Sequence, residues 1–546
     1  MMRTGTVLKV VVMSALALVV MVGLTGQGIC QSKEPVVLKS WVPNWPSHIE
    51  PMRVLSNDLK ALGIEIKLRT GNLDEWVAEI IGKDSPYHTV YMSWTGSPAR
   101  MEPTFFLREL YHSSRAAPGG RNYGNHINKE YDDVVDAQMS EMDMGKRQKL
   151  IRKAQEILAK DNATFPLWFR DYVQAYNTET VEGVVPTMGS GIGFPHNPWT
   201  FWKARPKTKR RELKLVNMHD IHELNPFAAG DAETEGWLRL AYDTFAKRDP
   251  DTNLPIPWAA ESWNVVDDTT VDIVLRAGMA FHDGKPVTVE DVKFTFDYIK
   301  KWEFPMYSRV WHNVESVEIL KDRRVRFKLF KPYAAFADDI LLHAFIAPKH
   351  IWEKIPESVG VANPTEWPNP DPVGSGPFEF NEWKKAEYFH YKANKNHFMA
   401  PNFDGLYVIV VPSIEGMMGM LEKGDVDIYG WTLGPKQVKR LNGFKHIKVV
   451  STPSHGFHEI RPNLNMKPMN DPMFRKAMQY AINRKGTLDI AAGGYGTICA
   501  NTPITPLIRF WNNPDIKPFE FSMKKAREIL KSAGYTWDEK GRLCYP

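Results

Sequence analysis

The stretch Phe201-Trp-Lys-Ala-Arg-Pro-Lys-Thr-Lys-Arg-Arg-Glu-Leu-Lys-Leu215 joins two parts of the chain that stand in an unusual order. It is basic, it is broken at Pro206, and the strand-like run Leu213-Lys-Leu-Val216 overlaps its end. A hydrophilic crossing of this kind is typical of a loop or a domain boundary. We call residues 201–215 the seam. The residues before the seam look like the C-terminal part of a protein. The residues after the seam look like an N-terminal part.

Length and composition set the class of protein. A chain of 546 residues is too long for one hydrophobic core, so two or three domains are expected. Apolar residues at 43% and charged residues at 24% are ordinary for a globular protein. The net charge of +5 is spread along the chain, and the seam is the only dense basic run. We interpret the seam as a solvated linker and expect no nucleic-acid partner.

The N-terminus predicts export. Residues 1–9 supply a positive charge, residues 10–24 are apolar, and small residues with Cys30 follow. This order is that of a signal peptide, here residues 1–30, so we expect a periplasmic or extracellular protein. A transmembrane anchor needs roughly 20 apolar residues, more than this run supplies. A lipid anchor at Cys30 is the second possibility, although Ile29 is bulky where a small residue is wanted.

Neither the cysteines nor the histidines indicate a catalytic or metal site. Cys499 and Cys544 could pair in an oxidising compartment, or remain two separate buried thiols. The run His219-Asp-Ile-His-Glu223 holds two imidazoles but lacks the zinc-protease spacing. No Ser-His-Asp order or nucleophile elbow is present in the sequence. We therefore expect no metal or other cofactor and assign no catalytic residue.

The first piece, residues 35–205, predicts a largely parallel sheet. Val36–Trp41 has strand character, Pro51–Leu62 has helical spacing and stops at Gly63, and Ile64–Leu68 alternates as a second strand. A strand is also predicted at Tyr91-Met-Ser-Trp94, followed by the loop Thr95–Pro103. Loops at the carboxyl ends of such strands are where ligands bind. A long helix through Gly145–Leu158 and a buried strand Phe165–Phe169 complete the piece.

The second piece, residues 212–546, contains the most specific pattern of the chain. Val271–Val292 predicts a strand, a tight turn at His282-Asp-Gly284 and a helix that Thr288 caps. His282 and Asp283 are interpreted as turn residues. The glycines of Asp371-Pro-Val-Gly-Ser-Gly-Pro-Phe378 permit a chain reversal, and no Gly-Lys-Ser/Thr follows that would indicate phosphate binding. A further helix is predicted at Met523–Tyr535.

Together these motifs resemble the extracellular solute-binding proteins of family 5, the receptors of ATP-driven peptide, nickel and oligosaccharide importers. The run Ser93-Trp, Glu102–Leu107, Tyr131-Asp-Asp and Ala154–Leu158 is similar to the last third of that family. The pattern Val271–Val292 and the run Asn463–Arg484 are similar to its earlier parts. The resemblance implies an α/β fold of the periplasmic-binding-protein type II, with three lobes around a hinged cleft.

The order of the pieces is reversed relative to the family. The two pieces share no motif and together make about one family member, which favours a circularly permuted order over a duplication or a fusion. The expected lobes are given by residue ranges: lobe III is 36–180 with 461–546, lobe I is 181–230 (containing the seam) with 366–460, and lobe II is 231–365. Residues 36–41 should then lie beside the chain after Tyr535.

The resemblance also implies the ligand-binding residues. Trp94 matches a tryptophan beside the ligand, although a core tryptophan is an equal alternative. Three residues on, peptide binders carry an aspartate that pairs with the ligand's ammonium group; Ser97 stands there, which favours a neutral ligand such as an oligosaccharide. The expected ligand-binding residues are Trp94, Ser97, Trp41, Trp431, Asp231, His458 and Arg461.

These expectations define a function and two alternatives. The sequence favours a monomeric, exported binding protein that closes on an oligosaccharide or oligopeptide and delivers it to the transmembrane permease subunits of an ATP-binding-cassette (ABC) importer. An exported enzyme on the same scaffold and a ligand-sensing receptor component remain the alternatives, because fold alone does not fix function.

Overall fold

The computed structural model describes residues 34–81, 85–96, 100–196 and 199–546. The predicted signal peptide with Cys30, and Ser97, therefore lie outside the described residues. The strands are β1 Val37–Pro43, β2 Glu65–Gly71, β3 Thr89–Ser93, β4 Phe165–Asn177, β5 Val181–Glu182, β6 Arg205–Pro206, β7 Glu212–Asn217, β8 Ala246–Arg248, β9 Pro255–Pro257, β10 Ala260–Asp267, β11 Thr270–Leu275, β12 Val314–Ile319, β13 Arg324–Leu329, β14 Phe378–Lys384, β15 Tyr388–Ala393, β16 Gly405–Val410, β17 Ile428–Tyr429, β18 Ile447–Pro462, β19 Gly496–Ile498, β20 Thr536–Trp537 and β21 Leu543–Cys544.

Helices alternate with these strands, as the α/β class requires. They are α1 Pro46–Ala61, α2 Leu73–Trp76, α3 Lys129–Ser140, α4 Met144–Asp161, α5 Trp199–Lys203, α6 Ala232–Leu238, α7 Val289–Trp302, α8 Ser308–Asn313, α9 Lys349–Trp352, α10 Ile414–Lys423, α11 Pro435–Leu441, α12 Pro472–Ala481, α13 Arg484–Ala492 and α14 Met523–Ser532. No helix within the described ranges combines the length and the apolar character that a membrane crossing needs.

One large sheet organises the molecule. Its order is β14-β15-β16-β7-β17-β4-β18-β3-β1-β2, and β19 pairs with β4 as the eleventh strand. At one end β1 runs parallel to both β2 and β3, and at the other β7 runs parallel to β16 and β17. We call these two ends the β1 side and the β7 side. A separate antiparallel sheet, β10-β11-β13-β12, is called the small sheet.

Two long strands connect the β1 side and the β7 side. β4 and β18 pair with each other in antiparallel fashion from Ile447↔Asn177 to Ile460↔Phe165, with a break in register between Pro453 and Phe457. Near one end β4 pairs with β17, and near the other β18 pairs with β3. These crossing strands therefore run through both halves of the large sheet.

The predicted strand-turn-helix of the second piece is confirmed. β11 ends at Leu275, and α7 begins after Thr288, whose hydroxyl accepts from the backbone N–H of Asp291. The Asp291 carboxylate accepts in return from the backbone N–H of Thr288 at 2.9 Å, which completes a capping box. His282 and Asp283 lie in the turn between them, as predicted.

The bounds of α1 and β4 differ from the predicted ones. α1 was expected to begin at Pro51 and begins at Pro46 instead, because a proline is well tolerated in the first turn of a helix. Pro51 then stands inside the helix. β4 was expected to end at Phe169, and it continues to Asn177, since Arg170 pairs with Gly496 of β19 and the ladder to β18 resumes at Asp171.

The seam joins residues that share one core. β5 pairs with β6, so that Val181 lies opposite Pro206, and Val181, Leu213 and Leu215 belong to the same buried cluster. Residues 207–209 are exposed, as expected of a loop. Arg210 is an exception to that expectation, because it pairs with the buried carboxylate of Asp427.

The first and last strands of the described chain lie side by side. The backbone N–H of Val36 donates to the carbonyl of Leu543 at 2.7 Å, and that of Tyr545 donates to the carbonyl of Glu34 at 3.2 Å. Val36, Leu530 and Tyr535 share one buried cluster. The expected position of residues 36–41 beside the end of the chain is confirmed. Nearby Cys544 and the distant Cys499 are both buried free thiols, so the pairing alternative is not realised.

Candidate ligand-binding cleft

The large sheet brings strand ends from both of its sides to one cavity. β1 and β3 are parallel and end at Pro43 and Ser93, while β7 and β17 are parallel and end at Asn217 and Tyr429. The segments that follow β3 and β17 line the same space. Because ligands bind outside the carboxyl ends of strands in sheets of this type, this place is the first candidate site.

We call this space the strand-end cavity; its volume is about 390 Å³. It is lined from the β1 side by His48 and Ser93, from the crossing strands by Trp168 and Arg170, and from the β7 side by residues 432–435. A volume of this size falls within the range of about 300–1,000 Å³ found for small-molecule pockets. The cavity can therefore hold a small solute in contact with both sides.

Two neutral imidazoles form the polar wall of the strand-end cavity. Nε2 of His48 lies 2.8 Å from the hydroxyl of Ser93, and Nδ1 of His458 lies 3.1 Å from the hydroxyl of Tyr91. Burial, and then the positive charge of Arg170, lower the pKa of His48 to about 4. Burial also lowers the pKa of His458 well below its ordinary value. Both rings are therefore uncharged hydrogen-bonding groups at neutral pH.

The same wall offers aromatic surface. The indole of Trp168 stacks on the His458 ring with a centroid distance of 4.6 Å and an angle of 16°. Trp45 is 45% exposed and meets the His48 ring edge-on at 4.9 Å. Aromatic faces with a few convergent polar groups are the usual composition of a solute pocket.

Arg170 and Asp171 place one charge of each sign at the strand-end cavity. Oδ2 of Asp171 accepts from the hydroxyl of Ser451 at 2.6 Å, and burial raises the pKa of the Asp171 carboxyl. Oδ1 of Asp171 is buried and has no hydrogen-bond partner among the described residues. The guanidinium of Arg170 lies over the ring of Tyr172 at 5.5 Å. Sequence reasoning missed both residues.

Trp94 lies beside this cavity and is anchored from behind. It is 7% exposed, and its indole N–H donates to Oε1 of Glu459 at 2.8 Å. The guanidinium of Arg461 also pairs with Glu459, at 2.5 Å, and both of these charged side chains are fully buried. Arg461 is thus a partner of Glu459 in the core, with no surface open to a ligand in this conformation.

The other expected ligand-binding residues are spread over the molecule. Trp41 is completely buried in the core of the β1 side. Asp231 caps α6 by accepting from the backbone N–H of Thr234 at 2.9 Å, and its other oxygen lies 3.0 Å from Nδ1 of His222. Trp431 is half-buried and precedes Thr432 of the cavity wall. The structure places His458 in the cavity wall, Trp94 and Trp431 next in sequence to lining residues, and Trp41 and Asp231 elsewhere.

A second space separates the β1 side from the small sheet. This arginine-rich cavity has a volume of about 570 Å³ and is lined by Phe105, Arg108 and Arg121 on one wall and by Arg309 and Asp339 on the other. Beside it two hydrogen bonds cross between the walls, one donated by a side chain and one by the backbone. Nη1 of Arg147 donates to the carbonyl of Ala334 at 3.2 Å, and the N–H of Ala334 donates to the carbonyl of Met139 at 3.0 Å.

Arg100 lies between the two cavities. Its Nη1 donates to the hydroxyl of Thr95, at the strand-end cavity, at 2.5 Å. Its guanidinium also lies 5.0 Å above the ring of Phe105, which lines the arginine-rich cavity. Burial lowers the pKa of Arg100, but an arginine stays charged at neutral pH. The two cavities are therefore neighbouring parts of one cleft.

Comparison with known proteins agrees with this architecture. The model of the bacterial extracellular solute-binding proteins, family 5 Middle, matches residues 255–543, which is more than half of the chain. The oligopeptide-binding protein AppA of Bacillus subtilis (strain 168) is 28% identical over 314 residues, covering 57% of this chain and 56% of that protein. The glutathione-binding protein GsiB of Shigella flexneri serotype 5b (strain 8401) is 27% identical over 325 residues, covering 57% and 59%.

Solved structures give a similar coverage. A periplasmic oligopeptide-binding protein of an oligopeptide ABC transporter from Thermotoga maritima is 26% identical with a TM-score of 0.48, covering 61% of this chain and 64% of that one. The chain thus matches less than two thirds of the length of each of these relatives. The residues matched by the family model include the small sheet, strands β14 to β18 and the last helices. On that match, the chain belongs to the bacterial extracellular solute-binding proteins of family 5.

Proposed function

We propose that this chain is the exported substrate-binding protein of an ABC importer. It captures a small solute, an oligosaccharide or oligopeptide, in the cleft and delivers it to the permease subunits as a monomer. In this proposal the β1 side is lobe III, the β7 side with the seam is lobe I, and the small sheet lies in lobe II. The family membership supports the receptor class, in which no chemical step is performed.

The observation that carries the proposal is the relation between the crossing strands and the cavity. β4 and β18 run through both sides of the large sheet, and the strand-end cavity is lined from both. Bending at the break in register between Pro453 and Phe457 would move the sides as rigid bodies. A solute that contacts both sides binds the closed state more tightly and shifts the population toward it. A shift from 1:99 to 99:1 needs about 5.5 kcal/mol of differential binding.

Two observations bear on the class of solute. The exposed aromatic face of Trp45 at the strand-end cavity suits the apolar face of a sugar ring as well as a peptide side chain. Ser97, where peptide binders carry an aspartate, favours a ligand without a free ammonium group. Relatives named for oligopeptide and glutathione binding support the peptide class. Both classes therefore remain in the proposal.

We also infer that the segments forming the lobes follow one another along the chain in a circularly permuted order. The contact between Val36 and Leu543 supports this inference, because it joins the segments that are consecutive in the usual order. The shared core of Val181 and Leu213 supports it at the seam, where the old ends would have been joined. When two pieces of a chain stand in swapped order, one linear alignment can follow only one of them. The alignments to the two relatives cover 56% and 59% of the relatives' lengths, which agrees with this order.

A thermal-shift screen tests the function. Purified protein is incubated with panels of neutral and acidic oligosaccharides and of short peptides, and both the melting temperature and product formation are followed. A ligand present at 100 times its Kd is expected to add about 2.7 kcal/mol of stability without being converted. Product formation would support the enzyme alternative instead. Ser97→Asp is expected to raise the affinity for peptides with a free amino terminus; unchanged affinity would contradict the ammonium argument.

A further inference from the structure

Arg170 occupies a central place in the strand-end cavity. It lies in β4 at the point where the ladder to β18 is interrupted, next to Trp168 and opposite the His458 region of β18. Its guanidinium is close enough to lower the pKa of both His48 and His458. Arg170 is therefore the positive charge that the two neutral imidazoles of the cavity wall face.

This guanidinium has no negative partner in the described parts of the chain. It lies over the ring of Tyr172 at 5.5 Å, and its charge contributes to the lowered pKa of His48 and of His458. The next residue, Asp171, directs Oδ2 to the hydroxyl of Ser451 and forms no ion pair with Arg170. Arg309 in the wall of the arginine-rich cavity, by contrast, is paired with Asp339 at 2.5 Å.

A half-buried arginine without an acceptor indicates an external one. Taking a cation out of water is unfavourable unless hydrogen bonds and an opposite charge compensate it. The planar guanidinium offers two parallel N–H groups that match the two oxygens of a carboxylate. The strand-end cavity is concave and is lined by an aromatic wall and by neutral imidazoles. The acidic group that pairs with the guanidinium would come from the solute.

We propose that Arg170 binds a carboxylate group of the captured solute, so that the solute is acidic. This inference rests on the proposed function, since it names the chemistry of the ligand in the same cleft. Two sources supply the group: a uronate-containing oligosaccharide, or the free carboxyl terminus of a peptide. Trp45, which is 45% exposed at the same cavity, would then lie against the body of the solute.

Matched ligand pairs test this assignment. The protein is titrated by calorimetry with trigalacturonate and galactotriose, and with trialanine and trialanine amide. For one of the two pairs the carboxylate-bearing member is expected to bind at least tenfold more tightly than its neutral partner. The pair that shows the difference identifies the source of the carboxylate. The preference is expected to weaken only modestly with salt, because the pair is partly buried.

Variants assign the preference to Arg170. Arg170→Gln is expected to remove the tenfold preference, and Arg170→Lys to keep part of it, since lysine retains the charge without the fork. Arg53→Gln is the control, because that side chain is 65% exposed on α1 and pairs with Glu50. Each variant is first compared with the parent protein by circular dichroism; if Arg170→Gln does not fold, the test is read from Arg170→Lys.

The outcomes separate this inference from the function beneath it. Equal binding of the acidic and neutral members of both pairs would overturn the carboxylate assignment and leave solute capture intact. The carboxylate assignment is also overturned if Arg170→Gln keeps the preference for the acidic ligand, or if Arg170→Lys keeps that preference at full strength. If none of the four ligands binds, and no compound of the wider screen raises the melting temperature, the proposed function is wrong. The carboxylate assignment, which rests on it, is then wrong as well.

Discussion

The indole N–H of Trp94 donates to Oε1 of Glu459 at 2.8 Å, at the edge of the cleft. Glu459 is fully buried and also accepts from Thr164, Tyr111 and Arg461. Trp94 thus has a structural task that is independent of any ligand. Its ring is held in place by this bond, while Phe105 meets it edge-on at 6.0 Å.

Removing the indole donor is expected to destabilise the protein. Trp94→Phe keeps an aromatic ring but takes one donor from the buried carboxylate, so the free energy of unfolding should fall by about 1–3 kcal/mol in urea titrations. Trp45→Phe is the control, because Trp45 is 45% exposed, and its effect should stay within about 0.5 kcal/mol. Equal effects of the two changes would show that the bond to Glu459 contributes nothing.

The contact between Arg147 and the small-sheet side is expected to depend on its buried acidic partner. Arg147 pairs with Glu102, whose side chain is 5% exposed, and also reaches the carbonyl of Ala334 at 3.2 Å. Arg147→Met leaves the Glu102 carboxylate unpaired and should cost about 3–5 kcal/mol of unfolding free energy. The double variant with Glu102→Gln should recover part of this loss.

An exposed ion pair provides the comparison for Arg147. Lys129 and Asp133 lie one turn apart on α3 with side chains 86% and 64% exposed, so Lys129→Met should cost less than about 1 kcal/mol. If Arg147→Met lowers the free energy of unfolding no more than Lys129→Met in the same urea titrations, the buried pair of Arg147 does not stabilise the protein.

Acid should destabilise the protein through buried histidines. His455 is completely buried, neither of its ring nitrogens has a partner among the described residues, and burial lowers its pKa to about 3. The folded state keeps this ring neutral, while the unfolded chain protonates it near pH 6.5. Stability is therefore lost as the pH falls below about 6.5, and one such group accounts for about 2 kcal/mol at pH 5. His48 acts in the same direction, since its pKa is about 4.

The pH dependence can be assigned by substitution. Denaturant unfolding at pH 7 and at pH 5 should give a smaller difference in His455→Leu than in the parent protein, whatever the absolute stability of the variant. Asp339 works in the opposite direction, because burial raises its pKa to about 6 and its neutral form is favoured by folding. An identical pH difference in both proteins would contradict the role of His455.

Much of the fold could be predicted from the sequence, because it depends on local signals. The capping box of Thr288 and Asp291 and the alternation of β1 and β2 are such signals. The full length of β4 could not be predicted from the sequence, since Arg170-Asp171 interrupts an apolar run and looks like a turn. Pairing with distant segments keeps these two residues in a strand, since Asp171 lies opposite Pro453 of β18 and Arg170 opposite Gly496 of β19.

The site was predicted less well than the fold, for a related reason. His458 was expected at the cleft and lines the strand-end cavity, whereas Trp94 and Trp431 stand next in sequence to lining residues. Trp41 ends the predicted strand Val36–Trp41 and is completely buried, because burial depends on neighbours that the sequence does not place. Arg170 could have been found from one signal, a charged pair in the middle of an apolar strand, which is unfavourable without a partner.

The inferred order of the lobes makes a prediction about a rearranged chain. Residues 209–546, a short Gly/Ser linker and residues 34–208 should fold with nearly the same melting temperature, because the linker only spans ends that already touch at Tyr545 and Glu34. Opening the chain instead between Gln174 and Ala175, inside the buried part of β4, should abolish folding. If the first rearrangement fails as the second does, the seam is not a junction of this kind.

The central claim is that a solute closes the cleft between the β1 side and the β7 side, whose buried core also holds residues of the small sheet. Its most direct test is the distance between spin labels at Lys129→Cys on α3 and Lys321→Cys in the β12–β13 turn, both exposed positions. The native Cys499 and Cys544 are buried, which favours selective labelling. A ligand identified by thermal shift should replace a broad distribution by a shorter, narrower one. An unchanged distance distribution at saturating ligand would contradict the account.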